Sequence, residues 1–215
     1  MGFIKQVLVL GGGLMGTTIA EDLLTHGCWV TIADRREVVV RTLDGVSEYQ
    51  YLDLSVPGVT EHENIFGEWT QKFDLVVCAL PSKYGFWCAK VAATHGVNFV
   101  DLSFTDVDLK KELHDIAIDN KCTILADCGV APGLSNLIVG HMLWEHGRLH
   151  KVNIYVGGVA KDPKANRFGY VRTWSLDDLW EEYNRPARTV THGKVVTFNQ
   201  PMLQGKSLVW GIDVD

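Results

Sequence analysis

A chain of 215 residues with 47% hydrophobic and 21% charged side chains has the balance of a globular protein and is long enough to bury a core without disulfide or metal staples. Its net charge of −6 includes no long run of one sign, which argues against nucleic acid and anionic membranes as partners, since both select a basic face. No apolar run approaches the roughly 20 residues of a membrane span, and the opening residues carry no signal-peptide pattern, so a cytoplasmic protein is expected.

Val7, Leu8, Val9 and Leu10 read as a first strand, followed by a helix over 14–26 with Met15, Ile19, Leu23 and Leu24 on one side. A second strand is expected at 29–33 and a weaker third around 49–54. A strong fourth strand covers 75–80 and stops at Pro81. Then come a helix near 84–95, a strand at 97–102, a helix near 108–120 and a strand at 123–126. Apolar strands alternating with helices indicate an α/β fold with a doubly wound parallel sheet covered on both faces. His26-Gly27, His95-Gly96 and His146-Gly147 read as helix ends, the glycine turning the chain and the histidine facing the last carbonyls.

The texture changes after Gly147. Strands are expected at 152–159, 167–174 and 194–198, with one clear helix at 176–183. His192-Gly193 reads as a hairpin turn between 188–190 and 195–197. The expected organisation is a Rossmann-type domain over 1–132 and an α+β substrate and dimerisation domain over 133–215. The five cysteines, Cys28, Cys78, Cys88, Cys122 and Cys128, are odd in number without a C-x-x-C pair. Reduced thiols are expected, and no metal site.

Gly11, Gly13 and Gly16, with Leu14 and Met15 between the last two, supply G-x-G-x-x-G between a strand and a helix. Asp34 follows at the end of the next strand, at the spacing of a dinucleotide fingerprint. Gly11 permits the tight turn, Gly13 leaves room for a pyrophosphate, and Gly16 lets helix and strand pack closely. Asp34 is placed to accept from the ribose hydroxyls and would repel a 2′-phosphate, which favours NAD. Arg35 and Arg36 follow directly and could neutralise such a phosphate, so NADP stays possible. Ligands in these sheets sit beyond the carboxyl ends of the strands. That draws Leu80 and Pro81 into the cofactor site, Asp101 and Asp127 into the catalytic set, and Tyr84 into the substrate site.

The run Asp127-Cys128-Gly129-Val130-Ala131-Pro132-Gly133-Leu134-Ser135-Asn136 resembles the saccharopine dehydrogenase-like family, in particular its lysine 6-dehydrogenase branch. Supporting matches are the start at Val7 to Gly16, the strand ends Ala79-Leu80-Pro81 and Val100-Asp101, Trp174-Ser175 and the stretch Tyr183 to Arg188. The resemblance implies an NAD(P)-dependent dehydrogenase acting on the carbon–nitrogen bond of an amino acid, most closely the oxidative deamination of L-lysine. Its alternatives are a saccharopine- or carboxynorspermidine-type imine reductase and a non-catalytic dinucleotide-binding subunit. It also implies a homodimer. Family enzymes are considerably longer, so the substrate domain is expected to be incomplete at its C-terminal end.

Hydride loss from an amine-bearing carbon requires a neutral nitrogen. Asp101 and Asp127 are the expected carboxylates for holding the substrate ammonium or relaying its proton. Arg172 (with Arg185 as an alternative) is expected to clamp a substrate carboxylate and Trp174 to line the pocket.

Overall fold

The computed structural model describes residues 4–36, 48–54, 60–103, 107–156, 162, 175–184 and 186–198. It divides into two units, Met1–Gly129 and Val130–Asp215.

The first unit is a six-stranded parallel sheet in the order β3-β2-β1-β4-β5-β6. Its strands are β1 (Gln6–Leu10), β2 (Trp29–Asp34), β3 (Glu48–Tyr51), β4 (Leu75–Cys78), β5 (Asn98–Asp101) and β6 (Ile124–Leu125). All five pairings are parallel. The central strands can be apolar on both sides because helices cover both faces. Leu8, Leu10, Val76, Cys78 and Phe99 face a cluster that includes Phe66 of α2 (Thr60–Thr70), Cys88 and Ala89 of α3 (Ser82–Thr94), and Leu113 of α4 (Leu109–Asp119). Val7, Val9, Val30 and Ile32 pack on the opposite face with Ala20 of α1 (Leu14–Thr25). Val7 through Leu10 are fully buried, which at about 25 cal/mol per Å² of apolar surface makes β1 a principal source of stability.

In this unit the expected elements recur with boundaries moved by one to three residues. The helix α2 is an addition that the sequence pattern does not announce. The histidine–glycine pairs close helices as anticipated: Gly27, Gly96 and Gly147 all have positive φ, and the Nδ1 atoms of His26 and His95 lie 2.8 and 2.9 Å from the carbonyls of Asp22 and Val91.

The second unit contains α5 (Leu134–His146), α6 (Leu176–Asn184) and an antiparallel hairpin of β7 (Ala187–Thr191) and β8 (Lys194–Phe198). The Asn136 side chain accepts from the Gly133 N–H at 3.1 Å at the head of α5. His192 and Gly193 turn the hairpin with φ of 51° and 70°, as a two-residue turn between twisted strands requires. The strand expected at 152–159 is corrected: residues 152–156 are irregular, and among the described residues nothing pairs with them. An alternating pattern becomes a strand only when a neighbour takes its backbone hydrogen bonds. Residues 157–159 and the strand expected at 167–174 lie outside the described residues. Among the described residues no helix is long and apolar enough to cross a membrane.

Candidate functional site

The chain turns sharply where β1 ends, at the point where the strand order reverses between β1 and β4. Gly11 sits at φ 97°, and a Cβ there would stand 2.8 Å from the Ala79 carbonyl oxygen, so the position excludes any side chain. Hydrogen bonds from Gly11 N to Ala33 O and from Ala79 N to Leu10 O, each 2.8 Å, pin the turn between β2 and β4. A Cβ on Gly16 would collide with the Gly11 carbonyl oxygen, which fixes how closely α1 approaches the loop.

Gly13 differs from both. Its backbone is extended (φ −80°, ψ −169°), and the nearest atom to a Cβ there would be Arg36 Nη2 at 3.8 Å. Space, rather than conformation, is what this glycine leaves. No side chain caps α1, and its first turn holds no acidic residue. The N–H groups of Leu14, Met15 and Gly16 therefore face outward without an intrahelical acceptor, carrying the positive end of the helix dipole. Leu14 is 71% exposed. An open cradle ending in bare N–H groups fits a pyrophosphate, and Gly11 through Gly16 would hold it.

Asp34 ends β2 beside this cradle and is buried. Its Oδ2 accepts from Gly12 N at 2.8 Å and its Oδ1 from Arg36 N at 2.8 Å. The Arg36 guanidinium adds contacts of 3.3 and 3.4 Å. Burial pushes this carboxyl up, but the Arg36 side chain and the N–H groups of Arg36 and Gly12 outweigh it and hold the pKa below the usual carboxylate range. Arg35, the arginine expected at the cofactor, is exposed; Arg36 is the one that closes on Asp34.

Leu80 lies against the glycine turn, its Cδ2 3.2 Å from where a Gly11 Cβ would stand. Pro81 precedes the first residue of α3. Tyr84 is half-buried against the core, with the Lys83 ammonium 5.0 Å from its ring centre.

The two carboxylates expected to be catalytic occupy different environments. Asp101 is fully buried and accepts from Ser103 N at 2.9 Å and Ser103 Oγ at 2.8 Å. Burial pushes its pKa up, more than these bonds and one from the Cys78 thiol lower it. Gly85 of α3 makes the arrangement possible, since a Cβ there would strike Ser103 Oγ and stand 3.0 Å from Asp101 Oδ2. Ser103 and Gly85 were not singled out from the sequence. A serine two residues after a strand-end aspartate is the signal that points to such a turn.

Asp127 is half-buried at a φ of 56°, and burial raises its pKa. Cys128 N donates to Asp101 O at 2.8 Å, tying the Asp127 segment to the end of β5. Both carboxylates thus stand at the same sheet edge as the glycine loop. Arg172, Trp174 and Arg185 lie outside the described residues. A separate concavity of about 1130 Å³, bordered by Trp29, Glu48, Tyr51 and Trp69, holds none of these groups. All five cysteines are free.

Two family models match the chain: the saccharopine dehydrogenase NADP binding domain over residues 7–125 and the saccharopine dehydrogenase C-terminal domain over residues 129–208. The fold is similar to apo histidine-tagged saccharopine dehydrogenase (L-Glu forming) from Saccharomyces cerevisiae, with a TM-score of 0.64 and 20% identity over 91% of this chain. The chain spans 44% of that protein's length. It also matches the WlbA dehydrogenase from Bordetella pertussis in complex with NADH and UDP-GlcNAcA, at a TM-score of 0.48 and 14% identity, covering 70% of this chain and 45% of that one. Residues 7–125 are a nicotinamide-dinucleotide-binding domain.

Proposed function

Because the chain belongs to the saccharopine dehydrogenase family, we propose that it is an oxidoreductase transferring hydride between a nicotinamide dinucleotide and the carbon–nitrogen bond of an amino acid. The observation that carries this reading is the glycine cradle sharing one sheet edge with the half-buried Asp127. The nicotinamide supplies the hydride acceptor or donor when bound.

The residues do the rest. The substrate nitrogen must lose its proton before its carbon gives up hydride. An alkylammonium with a pKa of about 10.4 resists this near neutrality by roughly 4 kcal/mol, which a placed carboxylate helps to offset. Asp127 suits that role: burial raises its pKa, which strengthens it as a base, and no described residue donates a hydrogen bond to its side chain. Asp101 is engaged with Ser103 and acts as a positioning residue at the end of β5. Tyr84 is the described residue proposed for the pocket wall.

The D-x-G-x-x-P-G-L-S-N run of residues 127–136 favours oxidative deamination of L-lysine. The match to both saccharopine dehydrogenase family models favours a second reading, the saccharopine- or carboxynorspermidine-type reduction of the imine formed between an amine and an aldehyde. Absorbance of the reduced nicotinamide separates them. L-Lysine alone yields reduced dinucleotide and ammonia in the first case. In the second, reduced dinucleotide is consumed only when amine and aldehyde are both present. Asp127→Asn lowers kcat while leaving dinucleotide affinity unchanged. Dinucleotide binding without turnover on basic amino acids, diamines or amine–aldehyde pairs overturns the catalytic reading in favour of a non-catalytic binding subunit.

A further inference from the structure

On the side of the sheet that carries α2, α3 and α4, the helices pack over Leu8 and Leu10 of β1, Val76 and Cys78 of β4 and Phe99 of β5. Val30, Ile32 and Tyr49 belong to the opposite face, so alternation along the strands puts Trp29, Glu48 and Gln50 on the α2 side. There they border the concavity of about 1130 Å³, whose other wall is Ile65 and Trp69 of α2. Trp29 and Ile65 are 68% and 62% exposed, large apolar side chains left facing solvent. Parallel sheets are covered on both faces. Among the described residues, no helix covers this part of β2 and β3.

The size and charge of the groove say what it takes. Two neighbouring strands present a strip about 10 Å wide. A helix with its side chains is about 10 Å across and rises about 1.5 Å per residue, so it fills roughly 120 Å³ per residue. The concavity of about 1130 Å³ therefore admits about nine residues of helix, or two to three turns. Behind Trp69 the wall is aromatic, with Phe66 and Trp87 stacked at 5.2 Å. The exposed charges on the border are three carboxylates, Glu48, Asp53 and Glu68, against one ammonium, Lys72. We propose that this groove docks a short amphipathic helix of a separate polypeptide, its apolar stripe on Trp29, Ile65 and Trp69 and its lysines or arginines at the bordering carboxylates. The groove shares no residue with the glycine cradle or with Asp34, Asp101 and Asp127, so this function is additional to hydride transfer.

The test is calorimetric titration of the full chain with a peptide of about 14 residues made of leucine, alanine and lysine, its leucines at i, i+3, i+4 and i+7. Two controls are the same peptide with glutamate in place of lysine and a scrambled lysine peptide. The lysine peptide is expected to bind saturably, and both controls at least about tenfold more weakly. Trp29→Ala and Glu68→Lys alter exposed side chains and should keep the wild-type melting curve. Each is expected to weaken the lysine peptide by about tenfold or more while NADPH affinity stays within about threefold. Equal binding of lysine peptide and controls, no saturation, or unchanged affinity in both variants overturns the proposal. Self-association of the wild type that Trp29→Ala abolishes, read by sedimentation, gives the groove to a second copy of this chain and also overturns it.

Discussion

Gly13→Asp should make the protein more stable and unable to bind a dinucleotide. The position already has the extended backbone of a helix N-cap, and a Cβ there meets nothing closer than Arg36 Nη2 at 3.8 Å. An aspartate can therefore enter without strain. Its carboxylate would accept from the uncapped N–H groups of the first turn of α1 and oppose the helix dipole. Replacing glycine by aspartate at an N-cap is worth a few tenths of a kcal/mol, and the dipole adds about 0.3–1 kcal/mol. The sum, about 0.5–1 kcal/mol, raises the melting temperature by roughly 1–4 °C for a chain of this size. The same carboxylate occupies donors meant for the pyrophosphate, each worth about 1.5–3 kcal/mol to a charged acceptor, and adds repulsion. A loss of at least about 4 kcal/mol, or roughly a thousandfold in Kd, follows. Thermal denaturation and NADPH titration read the two effects separately. A lower melting temperature, or an affinity within about tenfold of wild type, refutes the reading of Gly13 as space kept for phosphate.

Gly11→Ala should behave in the opposite way, costing about 1–3 kcal/mol in denaturant unfolding because the position combines φ 97° with the Ala79 carbonyl at 2.8 Å. Gly85→Ala should cost about 1–3 kcal/mol by displacing Ser103 and Asp101 from α3, and Ser103→Gly in the same chain should recover part of that loss. Asp34 and Asp101 should give pH dependences of opposite sign. The folded-state pKa of Asp34 is depressed, so its stabilisation is present above the ordinary carboxylate range and is lost as pH falls through the folded value. That of Asp101 is raised, so its contribution is complete below the ordinary range and is lost as pH rises through the folded value. Unfolding free energies of Asp34→Asn and Asp101→Asn across acidic to neutral pH, each compared with wild type, should diverge in those two directions.

What the sequence revealed and what it hid follow from the range of the interactions involved. β1 was legible because a strand covered on both faces is apolar without interruption, and all four of its apolar residues are fully buried. The glycine turn was legible because its three glycines fall within six residues, although part of what requires Gly11, the Ala79 carbonyl, is distant in the chain. α2 was missed because its apolar side chains crowd into the second half, at Ile65, Phe66 and Trp69. Its Gly67, which reads as a breaker, is required where the His95 ring lies against the helix. The arginine on Asp34 was not legible: Arg35 and Arg36 are of one type and both follow the end of β2, and only the path of the chain there brings Arg36 onto Asp34.

The two strand-end aspartates mark where local reasoning stops. Asp101 and Asp127 look alike in the chain, each closing an apolar run at the ligand-binding edge of the sheet. What separates them is a glycine sixteen residues before one of them, on a helix packed over that strand. The missing side chain at Gly85 admits Ser103 Oγ, Ser103 donates to both carboxylate oxygens of Asp101, and the surrounding core removes it from solvent. Among the described residues Asp127 has no such cover, and it stays half-buried in a left-handed backbone. A carboxylate can exchange protons with a substrate only where something other than protein can reach it, so the absence of one methyl group on α3 divides a structural acid from a candidate base.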